Sequence, residues 1–228
     1  MPVYRPHNVS TAPTAYWKLN EASGNRADSS GNGHTLTDGN TVGSTTGKTD
    51  TLAADFELDN NEYLTAADHA DWDYGTGDFT MCAWVKPETM TAGAQTIFGR
   101  NTGGNSNACD LWLTSSNIIF AIAAAPLAYA TVLSAGTWYH IGAKRVSGNV
   151  RIFLNGSQVQ AGNLATSVSY TTAQIVGNFQ AVDTTFGAAF DGLIQDAAIW
   201  KGYAISDTEF SKLAAMTPIG GNQIIWVD

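Results

Sequence analysis

Positive charge is scarce in this sequence. Lys and Arg number 11 against 20 Asp and Glu, a formal net charge of −9, and the cations stand singly apart from the pair Lys144 and Arg145. Without a basic stripe there is no field to gather phosphates, which argues against nucleic acid as a partner. Long apolar runs are missing as well. No stretch approaches the ~18 consecutive apolar residues of a spanning helix, so no membrane insertion is expected. The opening "MPVYRPHNVSTAPTAYW" holds no run of signal-peptide length. Cysteine is limited to Cys82 and Cys109. Both lie in apolar, strand-like runs, where a free buried thiol is the common state; a disulfide between them is the alternative and depends on compartment.

What is present is the material of a β protein. Apolar residues make up 44% of the 228, charged residues only 14%, and Gly numbers 23, a balance that suits one globular domain with many tight turns. Short runs with period-2 alternation recur between turn clusters: "TAYWKLN", "LAADFEL", "EYLTA", "DFTMCAWVK", "QTIFGR", "CDLWL", "IIFAIA", "WYHIGAKRV", "NVRIFLNG" and "AAFDGLIQDAAIW". Their number and spacing imply a sandwich or barrel. In "DFTMCAWVK", Phe79, Met81, Ala83 and Val85 share an apolar face while Thr80, Cys82 and Trp84 share a mixed one, the pattern of a half-buried strand. Asn155-Gly156 tolerates positive φ at both turn positions and predicts a tight hairpin. One helix is expected in "ISDTEFSKLAAM", with Ser206 as N-cap, Glu209 closing a capping box, and Phe210, Leu213 and Ala214 on a face that packs as a lid across one end. Residues 1–13, with Pro2, Pro6 and Pro13, read as an N-terminal arm, 14–218 as the domain, and 219–228 as a tail. The tail's Ile224, Ile225 and Trp226 suit a last edge strand or a peptide that docks on another subunit.

The turn-rich stretch "AYWKLNEASGNRADSSGNGHTLTDG" fails as a phosphate loop, because "SGNGH" precedes neither Lys-Ser/Thr nor a helix-forming run. As a chain reversal it is well made: Asp28, Ser29 and Asn32 can accept backbone N–H bonds while Gly31 and Gly33 take left-handed angles. The order "AYWKLNEASGNRADSSGNGHTLT", "AADFELDNNEYLTAADHADWDYGTGDFTMCAWVKPE", "GTWYHIGAKRVSGNVRIFLNGSQV", "FDGLIQDAAIWKGYAISDTEF", spanning about residues 14–214, resembles the laminin-G-like branch of the concanavalin A-like lectin/glucanase superfamily. The resemblance implies an all-β, two-sheet antiparallel jelly-roll sandwich, and a non-catalytic adhesion or carbohydrate-binding module often carrying one Ca2+. On that template Asn20, Asp28 and Asp196, with Glu21 and Gln195 beside them, would form the calcium set. The match is imperfect, since the family's Asp after the strand Ile is Gln195 here, and a one-residue shift turns a strand side chain to the other face. The competing reading makes Asp28 a turn cap and Asp196 a solvated residue.

Catalysis finds little support in the residues. "ELDNNE" sets out Glu57, Asp59 and Glu62 in the spacing of a β-glucanase motif, but Asn60-Asn61 favours a turn that would splay the carboxylates at a loop tip rather than hold them about 5–5.5 Å apart. His7, His34, His69 and His140 show no metal-ligand spacing. His140 reads as a structural strand residue and His69 as a loop histidine. Trp17, Trp84, Trp138 and Trp200 read as core. For a sugar, Trp112 and Tyr129 with Asn101, Asn105 and Asn107 would make an aromatic patch beside an Asn-rich loop, set against ordinary sheet packing. The expectation is a glycan-binding or adhesion module, extracellular or on a virion surface, as in phage structural proteins. The alternative is a structural appendage held to other particle subunits by arm and tail, with a homo-oligomer open to either.

Overall fold

A computed structural model describes residues 3–90, 93–100, 109–179 and 189–216. In chain order the strands are β1 (Ala15–Trp17), β2 (Thr37–Gly39), β3 (Gly43–Thr46), β4 (Leu52–Phe56), β5 (Tyr63–Ala66), β6 (Phe79–Pro87), β7 (Gln95–Gly99) and β8 (Cys109–Thr114). They continue with β9 (Asn117–Ile122), β10 (Ala125–Ala130), β11 (Tyr139–Val146), β12 (Asn149–Leu154), β13 (Ser157–Asn163), β14 (Gln174–Val176) and β15 (Gly192–Lys201), before the helix α1 (Asp207–Ala215). All pairings are antiparallel. One sheet of eight strands runs β13-β12-β11-β6-β15-β4-β3 with β1 against β15; the other, of seven, runs β10-β9-β8-β7-β14-β5-β2. This is the jelly-roll sandwich that the resemblance implies, where the spacing of strand-like runs left a sandwich or a barrel. The strands that pattern reading misses are β2, β3, β10 and β14. They are short, or in β10 carry Pro126, which is admitted because β10 is an edge strand.

The inner faces of both sheets meet in one core. Phe79, Met81, Ala83 and Val85 of β6 pack there with Leu111 and Leu113 of β8, Ile118 and Phe120 of β9, and Ile194 and Ile199 of β15. The alternation in β6 therefore holds, but the strand is buried on both faces rather than half-buried. Its outer face lies under a second apolar cluster in which Cys82 joins Val9, Tyr16, Phe153, Trp200, Phe210 and Leu213. Two elements make this cover. The first is the described part of the arm: Arg5 donates to the Thr49 carbonyl, Ser10 bonds Glu209, and Trp200 Nε1 donates to Thr11 O at 2.9 Å. The second is α1, which lies over the outer face of the eight-stranded sheet instead of across an end, with Phe210 stacked on Phe153 at 4.0 Å between centroids.

Local chemistry explains why α1 sits there. Ser206 caps Glu209 N while Glu209 Oε2 accepts from Ser206 N, and Oε1 of the same carboxylate accepts from Ser10, so the cap also clamps the arm. Asn155 and Gly156 both have positive φ, 49° and 82°, as the two-residue hairpin turn requires. A Cβ at Gly156 would lie 2.8 Å from Ser211 Cα, so the turn also brings the helix in close. Lys144 and Arg145 alternate in β11. Lys144 Nζ reaches out to Ile205 O and Asp207 under the helix, while the buried Arg145 donates to the carbonyls of Gly75, Gly77 and Thr166.

Candidate functional site

Cross-strand partners in an antiparallel sheet point to the same face, and residues two apart on a strand share it. In the seven-stranded sheet, Leu111 and Leu113 point into the core, which turns Asp110 and Trp112 outward. Thr96 of β7 and Ile119 of β9 are the cross-strand partners of Trp112, so they stand on that outer face too. Phe179 closes one side, its ring edge-on to Trp112 at 5.4 Å and 74°. Trp112 is 9% exposed, leaving only a small part of the indole open.

The polar atoms beside Trp112 are unusual. Asp110 is wholly buried; its Oδ1 accepts the Arg100 N–H at 2.7 Å, and its Oδ2 has no partner among the described residues. Thr96 is also wholly buried, and its Oγ1 has no partner among the described residues either. Burial pushes the Asp110 carboxyl up to about 7, against the opposing pull of Arg100. A buried polar group without a partner costs about 1–3 kcal/mol, and two of them flank one tryptophan on a sheet face. Arg100 supports the arrangement: its guanidinium is spent on the carbonyls of Trp72, Tyr170 and Thr172, which fixes the β7 end where its N–H meets Asp110.

The aromatic patch expected from sequence is divided by the sheet. Tyr129 is the cross-strand partner of Ile118, a core residue, and packs half-buried against the core side, whereas Trp112 is on the outer face. The two do not share a surface. Asn101, Asn105 and Asn107 lie outside the described residues, as does the 219–228 tail. Trp17, Trp84 and Trp200 are buried as expected, while Trp138 is only half-buried. Asp110 and Thr96 escape a sequence reading that looks for aromatics, although the period-2 relation of Asp110 to Trp112 in "CDLWL" was the available signal.

The calcium set takes a different form from the one the template suggests. Asp28 is a turn cap: its two oxygens accept from the backbone N–H groups of Tyr16, Ser30 and His34 and from the Ser30 hydroxyl. A bulge in β15 between Gln195 and Ala198, with Asp196 at φ 51°, turns both Gln195 and Asp196 to the outer side of the eight-stranded sheet. Gln195 then holds the 47–52 loop through Lys48 N, Thr49 N and Leu52 O. Asp196 is buried, not solvated; it accepts the Tyr16 hydroxyl and stands 3.7 Å from the Arg5 guanidinium, which also binds Asp50 at 2.7 Å. Asn20 turns its amide to Asp50. With Asp28 saturated by donors and Arg5 already supplying the positive charge, these residues do not fit a calcium ion. The Glu57–Glu62 segment forms the expected turn between β4 and β5: Asn61 adopts φ 51°, and Glu62 is buried, accepting from Glu57 N and Asn60.

Both cysteines are buried and free, Cys82 under the arm and helix and Cys109 in the inter-sheet core. His140 is a structural residue between Trp84 and Phe210, its imidazole lowered to about 3 by burial.

Comparison with known proteins places this geometry. A sequence profile of the concanavalin A-like lectin/glucanases superfamily matches residues 58–211. The chain belongs to that superfamily. No curated protein is significantly similar in sequence. Among solved structures, this superfamily member is similar to domain 4 of AbnA, an extracellular GH43 arabinanase from Geobacillus stearothermophilus, determined with arabinotriose (TM-score 0.66, 20% identity, 89% of this chain and 98% of that one). It is also similar to the binding domain of botulinum neurotoxin serotype G (0.69, 18%, 90% and 51%) and to that of Paraclostridial Mosquitocidal Protein 1 (0.68, 15%, 87% and 51%). The chain spans about half the length of these toxin binding domains. Among the described residues, no helix is long and apolar enough to cross a membrane.

Proposed function

We propose that the chain is a non-catalytic module that grips a glycan at the outer face of the seven-stranded sheet, with Trp112 as the apolar contact. One observation carries this reading: Trp112 is turned to the outer face beside Phe179, with part of its indole open. A sugar offers C–H groups for the indole. The likeness to an arabinanase domain determined with arabinotriose supports a carbohydrate as the ligand class. Glu62 supports the non-catalytic part, since its carboxylate is turned into its own loop, where it accepts from Glu57 N and Asn60. Display on a larger particle such as a virion is the setting that suits a gripping module, and Arg5, Ser10 and Glu209 commit the described arm to its own sheet rather than to a neighbour.

The test is a glycan array with the purified chain, with arabinotriose among the glycans, followed by calorimetric titration of the best hit against Trp112→Ala and Trp112→Phe. Loss of binding in the alanine variant with partial retention in the phenylalanine variant is expected. A blank array, or binding indifferent to Trp112→Ala, would overturn the assignment.

A further inference from the structure

We propose that His34, His69 and Asp71 form a three-ligand site for a divalent transition metal, zinc in the first instance, at the end of the sandwich where the first turn meets the 67–73 loop. The sequence scatters these residues, and the fold brings them together. His34 Nε2 lies 2.8 Å from Asp71 Oδ2, His69 Nδ1 lies 3.2 Å from the same oxygen, and the three donor atoms fall within 4.8 Å of one another. Metal–ligand bonds of about 2.0 Å in tetrahedral array put neighbouring donors about 3.3 Å apart, and both histidine spacings to Asp71 Oδ2 are close to that value. Two imidazoles and a carboxylate are the donors that suit zinc and its transition-metal neighbours; calcium and magnesium prefer all-oxygen sets.

The supporting contacts are already made. His34 is held by its own backbone, its N–H donating to Asp28 at 2.9 Å and its carbonyl accepting from Trp17 Nε1 at 2.6 Å, while its ring packs on Trp72 at 4.5 Å. That fixes the backbone and the ring plane of the buried ligand. His69 lies edge-on to His34 at 4.9 Å and its Nδ1 accepts the Asp71 N–H, so that nitrogen carries the lone pair a metal requires. Asp71 is an acceptor only, so the short contact from His34 Nε2 is an N–H donation. Metal binding at Nε2 moves that proton to Nδ1, so the ring stays neutral, and displaces the Asp71 N–H from His69. His69 and Asp71 keep 55% and 33% of their side chains open, which gives the ion a way in and leaves a fourth position for water or a donor from a ligand.

The experiment uses the full, tag-free chain stripped with chelator and then titrated with zinc. Binding of one ion per chain, a raised melting temperature, and a four-coordinate visible spectrum with cobalt in place of zinc are expected. His69→Ala and Asp71→Asn should each weaken zinc at least tenfold; His7→Ala, which removes another exposed histidine, should leave it unchanged. His69 is exposed but caps the 70–72 turn through Asp71 N–H, so the first variant should melt a little below the parent when metal-free while staying folded, and His69→Gln repeats the test with a side chain closer in size. Absence of saturable zinc binding, equal response to calcium, or binding that survives both His69→Ala and Asp71→Asn would overturn the proposal.

Discussion

Asp110→Asn tests the central feature of the sheet face. The amide is isosteric and its oxygen can still accept the Arg100 N–H, so the substitution removes charge with little change in shape. Burial raises the carboxyl from 3.8 to about 7. The native state therefore keeps a proton that the unfolded chain releases between about pH 4 and 7, and stability falls as pH rises through that window. Each unit is about 1.4 kcal/mol, so the full shift is at most about 4 kcal/mol, or roughly 8–16 °C in melting temperature for a chain of this size. Melting curves of parent and variant at half-unit steps from pH 4 to 8 give the answer. The variant should gain on the parent as pH rises and the gap should level off above about pH 7. A gap that does not change across the range would refute the reasoning, since it would mean that the carboxylate is not confined without a partner.

Three further outcomes follow from the fold. Ser206→Ala removes the cap of α1 and should cost about 1 kcal/mol in urea unfolding. Gly156→Ala forces a side chain into positive φ and against Ser211, and should cost more than about 1 kcal/mol, whereas Asn155→Gly keeps the turn's φ but loses the bond from His140 N–H to Asn155 Oδ1 and should cost about 1 kcal/mol. Melting in millimolar calcium and in chelator should agree, because Arg5 serves Asp50 and Asp196; a rise of several degrees with calcium would show that the arm yields to the ion.

Much of the architecture was legible because it is written in neighbouring residues. Alternation in "DFTMCAWVK" identifies which side of β6 meets the core, Asn155-Gly156 makes the hairpin turn, and the Ser206/Glu209 box begins the helix. The helix's destination was not legible. Where α1 lies depends on Phe210 finding Phe153 and on Gly142 of β11, whose added Cβ would stand 2.7 Å from the Phe210 ring. Tyr129 was misplaced for a related reason: its side follows from the register of β10 on β9, and Pro126 hides that strand from pattern reading.

The sequence by itself determined the class of fold, the turns, the cap and the outward parity of Trp112, since each depends on residues within a few positions and on periods of two or 3.6. Only the tertiary structure decided that Asp110 and Thr96 would be buried, each with an oxygen that has no partner among the described residues, that Arg5 would stand beside Asp196, and that His34 would meet His69 and Asp71. Those outcomes depend on which strands become neighbours and on what covers them. Burial and charge pairing are properties of the assembled neighbourhood, and no local pattern in the chain encodes them.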